Sequence, residues 1–262
     1  MHQVMVIAGT RPEAIKLAPV LLALKHSPVL QSVLCSTGQH HEMLRQAWEA
    51  FGLTPDINMD VMTSSQTLAG LSARLFGSVD AELEAHKPDF LLVQGDTTTV
   101  MVAATCAFYR NIPVGHVEAG LRSHDLGKPF PEEFNRRVAG LATTLHFAPT
   151  AGAAQNLYAE GVEKGRVFIT GNTVVDALHL MREKVRTMPP DLPADVAEAV
   201  REERPLVLIT VHRRELSAEG LEAICDAVAG MARDFPSAAF IWPVHLNPRI
   251  RNTVTVRLGN IP

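Results

Sequence analysis

The amino-acid sequence predicts a doubly wound α/β fold. Short apolar runs that lack alternation, as expected for parallel strands covered on both faces, recur along the chain. Helical patterns fill the gaps between them in a βαβα order. Hydrophobic residues make up 47% of the 262 and charged residues 20%, so there is apolar material enough for a sizeable core.

The first strand, Val4–Ile7, runs into Gly9-Thr10-Arg11-Pro12-Glu13-Ala14-Ile15-Lys16. Thr10 and Glu13 have capping-box spacing, and Pro12 sits in the first turn, where its missing N–H costs nothing. A helix over Pro12–Lys25 therefore starts at the carboxyl end of a strand. Its free N–H groups attract anions, and Arg11 and Lys16 add full charges. Further strands are expected at Gln31–Cys35, Phe90–Val93, Pro113–Val117, Thr144–Phe147, Val167–Thr170, Leu206–Thr210 and Ala239–Pro243. Helices are expected at His41–Phe51, Leu68–His86, Thr99–Tyr109, Glu132–Ala142, Ala151–Glu160, Val174–Arg186 and Glu219–Asp234. Met188-Pro189-Pro190-Asp191-Leu192-Pro193 and the charged run to Arg204 interrupt the pattern and read as a connector. The organisation is thus an N-terminal domain over 1–188, a linker over 189–204 and a second α/β unit over 205–262, with a polar tail after its last strand.

Ligands of open α/β sheets bind outside the carboxyl ends of the strands. Arg11, Asp96, Glu118, Arg122, Asn172, His212, Arg213, Arg214 and His245 all follow such ends. Taken alone, Asp96 before three threonines reads as the N-cap of the next helix. Glu118 follows an apolar strand, where a carboxylate needs a partner, and Arg122 is a candidate for it. His116 lies on the strand itself and reads as a packed core histidine. Glu132 and Glu133 open a helix after a proline-stiffened approach; dipole stabilisation accounts for paired acids there, and a role for one of them in a site is the equal alternative.

Lys and Arg number 24 against 28 Asp and Glu, a formal charge of −4 that excludes a general nucleic-acid footprint. No apolar run is long enough to span a bilayer, and the start shows no signal-peptide pattern. Cys35, Cys106 and Cys225 form neither a disulfide framework nor a metal-ligand spacing, which points to a reducing, cytoplasmic setting. The fingerprints of dinucleotide-binding domains, P-loop NTPases and α/β-hydrolases are missing. Anion recognition, carboxylates and a histidine remain, a set suited to proton transfer on a phosphorylated or nucleotide-linked substrate.

Six motifs occur in order: Gly9 to Lys16, Gly95-Asp96-Thr97-Thr98-Thr99, His116-Val117-Glu118-Ala119-Gly120-Leu121-Arg122, Pro131-Glu132-Glu133-Phe134-Asn135-Arg136, Gly171-Asn172-Thr173-Val174-Val175-Asp176 and His212-Arg213-Arg214-Glu215. Together they resemble the non-hydrolysing UDP-N-acetylglucosamine 2-epimerase family. The resemblance implies two Rossmann-like doubly wound domains in the glycosyltransferase-B arrangement, the second incomplete here. It implies interconversion of UDP-GlcNAc and UDP-ManNAc without a cofactor, by elimination of UDP and re-addition to 2-acetamidoglucal, in a cytoplasmic homodimer serving polysaccharide biosynthesis. By motif, Asp96, Glu118 and Glu132 match the family's catalytic acids, and His212 and Arg11 its diphosphate-side residues. Lys16 and Arg213 join them in binding substrate. Bacterial members also bind a second UDP-GlcNAc as activator; the matching positions are Gln39, His40, Gln66, Glu133, Arg136 and His245. His41 and Ser65 stand where the family commonly has Arg. Family members continue beyond the position of Pro262, so the resemblance implies a shortened chain of weak or absent activity. The motifs are shared with epimerases of related UDP-diacetamido sugars, the alternative substrates, and a non-catalytic relative is a further alternative.

Overall fold

The computed structural model describes residues 1–38, 41–63, 66–211, 217–244 and 248–259. The chain divides into two compact units, Met1–Met188 and Pro189–Pro262. In the first, the elements follow as β1 (His2–Ala8), α1 (Arg11–Lys25), β2 (Leu30–Ser36), α2 (His41–Ala50), β3 (Ile57–Asn58), α3 (Leu68–His86), β4 (Phe90–Gln94), α4 (Thr98–Tyr109), β5 (Val114–Val117), α5 (Glu132–Ala142), β6 (Leu145–Ala148), α6 (Ala151–Ala159), β7 (Val167–Ile169) and α7 (Thr173–Thr187). All strands pair in parallel in the order β3-β2-β1-β4-β5-β6-β7. The sheet is doubly wound, and the direction of winding reverses between β1 and β4.

Alternation along β1 builds two cores. Val4, Val6 and Ala8 meet Ala14, Leu17, Ala18 and Leu21 of α1 and Leu44 and Trp48 of α2. Met5 and Ile7 face the other way, against Leu75, Val79 and Leu83 of α3 and Val100, Ala103 and Ala107 of α4. Beyond β5, α6 packs through Ala153, Ala154 and Leu157 against Ala119, Ala148 and Val167. On the α1 side, an apolar hollow of about 510 Å³ lies over β4 to β6, lined by Val4, Leu24, Phe90, Leu92, Val117 and Phe147 among others.

The strands and helices expected from the sequence are present with ends moved by one or two residues. Three differences have physical reasons. β3 has only two residues, too short to show a pattern. The expected connector contains α8 (Ala194–Arg201), whose alternation of Ala and charged residues makes a helix with little apolar surface; only Ala199 is buried. In the second unit, β8 (Leu206–Leu208) and β9 (Ala239–Ile241) pair in parallel around α9 (Ala218–Asp234), as a βαβ unit should. The stretch expected as a polar tail instead forms α10 (Pro248–Leu258). Ile250, Val254 and Leu258 recur every fourth residue and join Leu221 and Cys225 of α9 in one cluster. Arg257 reaches Glu222 and Asp226 across the same pair of helices.

One glycine is dictated by both backbone and space. Gly120 has φ +86°, and a Cβ there would lie 2.3 Å from the Ala153 carbonyl oxygen at the start of α6. Replacing Gly120 by Ala should cost roughly 2–4 kcal/mol, the sum of a left-handed penalty and overpacking against backbone. Urea denaturation of Gly120→Ala measures this; unchanged stability would mean that α6 moves aside freely.

Candidate active site

The site grows from the winding reversal. β1 and β4 are neighbours, yet α1 and α4 leave their carboxyl ends toward opposite faces, which opens a crevice between the two turns. Gly9 to Arg11 form one lip and Gly95 to Thr97 the other. The carboxyl end of β5 adds Glu118, and the first turn of α5 adds Glu132.

Glu118 sits just past β5 with φ +65°, a left-handed conformation uncommon outside glycine and often found at functional sites. Its carboxylate is held from both sides. Lys16 Nζ donates to Oε1 at 2.8 Å and lies 2.7 Å from Oε2, and Asn172 Nδ2 donates to Oε2 at 2.8 Å. Asn172 is also the N-cap of α7, accepting from the Val174 amide, so one side chain orients both the helix and the acid. The expected partner Arg122 is elsewhere. It forms a two-pronged ion pair with Glu160, both contacts at 2.7 Å. The turn at Gly120 carries Arg122 to the α6 side, whereas Lys16 reaches Glu118 from the α1 helix.

Asp96 does not cap α4; Thr97 does, its hydroxyl accepting from the Val100 amide. The Asp96 carboxylate instead faces Arg136, which hydrogen-bonds and pairs with it. Burial pushes the Asp96 pKa above its ordinary value. Arg136 opposes this, and the negative charges of Glu132 and Glu118 push it higher again. Glu132 and Glu118 therefore act on Asp96 through space. The loop that carries Asp96 is pinned by its own carbonyls: Asn135 Nδ2 donates to the Asp96 oxygen at 3.0 Å, and His116 Nε2 to the Gly95 oxygen at 2.7 Å.

His116 is a core histidine, as its strand position suggests, at 1% exposure, and is paired in register with buried His146 on β6. Burial holds both near pKa 4, a neutral form at physiological pH. Glu133 is also a core group. Its carboxylate accepts from the Ser123 and His124 amides at 3.0 and 3.3 Å and meets Arg137 and Arg136. Burial would raise its pKa, but those amides and Arg136 carry it below its ordinary value. Gln66 hydrogen-bonds Arg74 and the Thr63 amide. Arg11 is exposed at the rim of a 440 Å³ groove lined by α1, α2 and α7. His212, Arg213, Gln39, His40 and His245 lie outside the described residues.

The structure thus brings together Lys16, Asp96, Glu118, Glu132 and Arg136 in the first unit. Sequence reasoning singled out the acids but not the roles of Asn135, Asn172 and Thr97. Asn172 was visible as a capping residue at a strand end; nothing in the sequence reveals that Asn135 turns toward the Asp96 carbonyl.

A doubly wound α/β frame with acids and cations at its switch point has the layout of a ligand-binding α/β protein. The fold is that of glycosyltransferase-B-like proteins: a crystal structure of MurG from Acinetobacter baumannii matches with a TM-score of 0.53 at 10% identity, covering 100% of this chain and 66% of that one. The family model for UDP-N-acetylglucosamine 2-epimerase matches residues 22–262. A UDP-N-acetylglucosamine 2-epimerase of Yersinia pestis is 45% identical over 262 residues, 99% of this chain and 69% of that protein. The crystal structure of UDP-GlcNAc 2-epimerase from Neisseria meningitidis bound to UDP-GlcNAc matches with a TM-score of 0.88 at 38% identity, covering 99% of this chain and 70% of that one. The chain belongs to the UDP-N-acetylglucosamine 2-epimerase family.

Two measurements probe this electrostatic arrangement. Arg136→Gln removes the cation that lowers the Asp96 pKa, so the Asp96 carboxyl should titrate at higher pH than in the wild type, as read by carbon NMR. The two buried histidines refuse protons that the unfolded chain accepts. Stability is therefore whole above the unfolded pKa of about 6.5 and is lost as pH falls toward about 4. His146→Gln should flatten the dependence of the urea midpoint on pH across that window.

Proposed function

We propose that the protein interconverts UDP-GlcNAc and UDP-ManNAc. The observation that carries this is the convergence of Asp96, Glu118 and Glu132 at the switch point, with Lys16 and Arg136 as their counter-charges. A base takes the proton from sugar C2, the C–H electron pair becomes a C1–C2 double bond, and the C1–oxygen bond breaks with its pair leaving on UDP. UDP then adds back to the 2-acetamidoglucal, and a proton returns to the other face of C2. Each step moves a proton and a diphosphate charge, so it needs carboxylates of differing proton affinity and fixed cations near the leaving oxygen. Glu118, oriented by Lys16 and Asn172, suits proton removal. Asp96, whose pKa is raised, suits the return. Arg11, on the amino end of α1, is offered to the diphosphate, with His212 and Arg213 assigned there by motif.

The N. meningitidis relative, bound to UDP-GlcNAc, supports the substrate. We further propose a homodimer in the cytoplasm and a second UDP-GlcNAc as activator near Gln39, His40, Gln66, Arg136 and His245. Glu133, whose oxygens are engaged by the 123–124 amides and two arginines, is assigned to hold the loop for that site.

In D2O, the protein should wash deuterium into C2 of UDP-GlcNAc and produce UDP-ManNAc, both visible by proton NMR. Glu118→Gln should slow the exchange about a hundredfold or more while UDP-GlcNAc affinity, by calorimetry, changes only severalfold. Exchange at the wild-type rate in that variant removes Glu118 from the role. A wild-type protein that neither binds UDP-GlcNAc nor forms UDP-ManNAc at any concentration overturns the reading.

A further inference from the structure

We propose that Glu13 is a positioning residue for the epimerase site, a buried clamp that ties the turn bearing Arg11 to the turn bearing Asp96. This rests on the assignment of Asp96 to the chemistry above. Glu13 stands in the first turn of α1 and is 2% exposed. Its Oε2 accepts from the Gly9 amide at 2.8 Å and the Thr10 amide at 2.5 Å. Its Oε1 accepts from the Thr97 hydroxyl at 2.7 Å, on the opposite lip of the crevice.

The need for such a clamp follows from the sheet. Pairing between β1 and β4 ends at Val6–Leu92, so the backbone ladder stops short of both turns. At a winding reversal the helices that follow the two lips diverge to opposite faces of the sheet. One carboxyl group with three donors bridges the lips. Its burial is a cost, since desolvation raises the Glu13 pKa while each of the three donors pulls it back. A helix cap alone does not require this arrangement: the amides of Gly9 and Thr10 already satisfy Oε2, and the bond to Thr97 serves only the other loop. Through Thr97, a shift of the Arg11 turn becomes a shift of the backbone beside Asp96. Displacement of a reacting group by about 1 Å lowers rates by up to a hundredfold.

Thr97 is the place to test the clamp, because its hydroxyl has two jobs: it donates to Glu13 and caps α4. Thr97→Val removes both, Thr97→Ser keeps both, and Thr97→Asp keeps a cap acceptor but offers Glu13 no donor. The expected result is a fall in kcat of about ten- to a hundredfold for Val and Asp, with the KM for UDP-GlcNAc changed far less, and near-complete recovery in Ser. Amide NMR gives a readout independent of turnover: the Gly95 and Asp96 signals should move in Val and Asp and not in Ser. Wild-type kcat in Thr97→Val, recovery in Thr97→Asp equal to that in Ser, or unmoved Gly95 and Asp96 signals would overturn the clamp. A wild-type protein without epimerase activity counts against the proposed function instead, and the amide signals then decide the clamp by themselves.

Discussion

β1 stands between β2 and β4, and that placement constrains everything at the carboxyl rim. A parallel sheet wound from its middle must send successive crossovers to opposite faces, because right-handed connections leave no other choice. The reversal opens a crevice at one place only, between the ends of β1 and β4. Residues at those two ends line the crevice, and Glu118 past β5 and Asn172 past β7 join them. The two apolar faces of β1, one made by Val4 and Val6 and the other by Met5 and Ile7, hold this geometry in place.

Within the crevice, charge is placed at some expense. The side chains of Lys16 and Glu118 are 23% and 11% exposed, so each has lost much of its hydration. A half-buried pair of this kind adds little net stability. What it supplies is orientation: the carboxylate cannot rotate away from the crevice while Lys16 and Asn172 hold it. Asp96 is treated differently. The pull of Arg136 is outweighed by burial together with two neighbouring acids, so the proton affinity of Asp96 rises above that of a free aspartate. Two carboxylates in unlike surroundings are the usual means by which one site both removes and returns a proton.

Much of this was legible in the sequence, for reasons that can be named. Parallel strands are buried on both faces, so β1, β4 and β5 announce themselves as apolar runs. Residues that follow such runs are at the rim by topology alone, which is how Asp96 and Glu118 were singled out; Glu132, at a helix start, came from the family resemblance. Partnership was harder to read. Glu118 is 102 positions from Lys16 but only four from Arg122, and local spacing favoured the wrong cation. Asp96 looked like a cap because capping is a local property, yet Thr97 has the cap and Asp96 faces α5. α10 escaped notice for another reason: its packed apolar positions, Ile250, Val254 and Leu258, lie in a stretch rich in arginine and threonine, and their fourfold spacing was masked by composition.

The ties across the crevice are also among the longest in the chain. Lys16 meets Glu118 over 102 residues, Thr97 meets Glu13 over 84, and Asn172 meets Glu118 over 54. A growing or refolding chain can complete the β1-α1-β2 segment from neighbours in sequence, but it cannot assemble the site until α7 has been added. Contacts that close such large loops form late and are exposed to partial opening, which need involve only the α7 end to release Glu118. Catalytic competence should therefore be gained last in folding and surrendered first under mild stress, while most of the sheet and its amide protection remain intact.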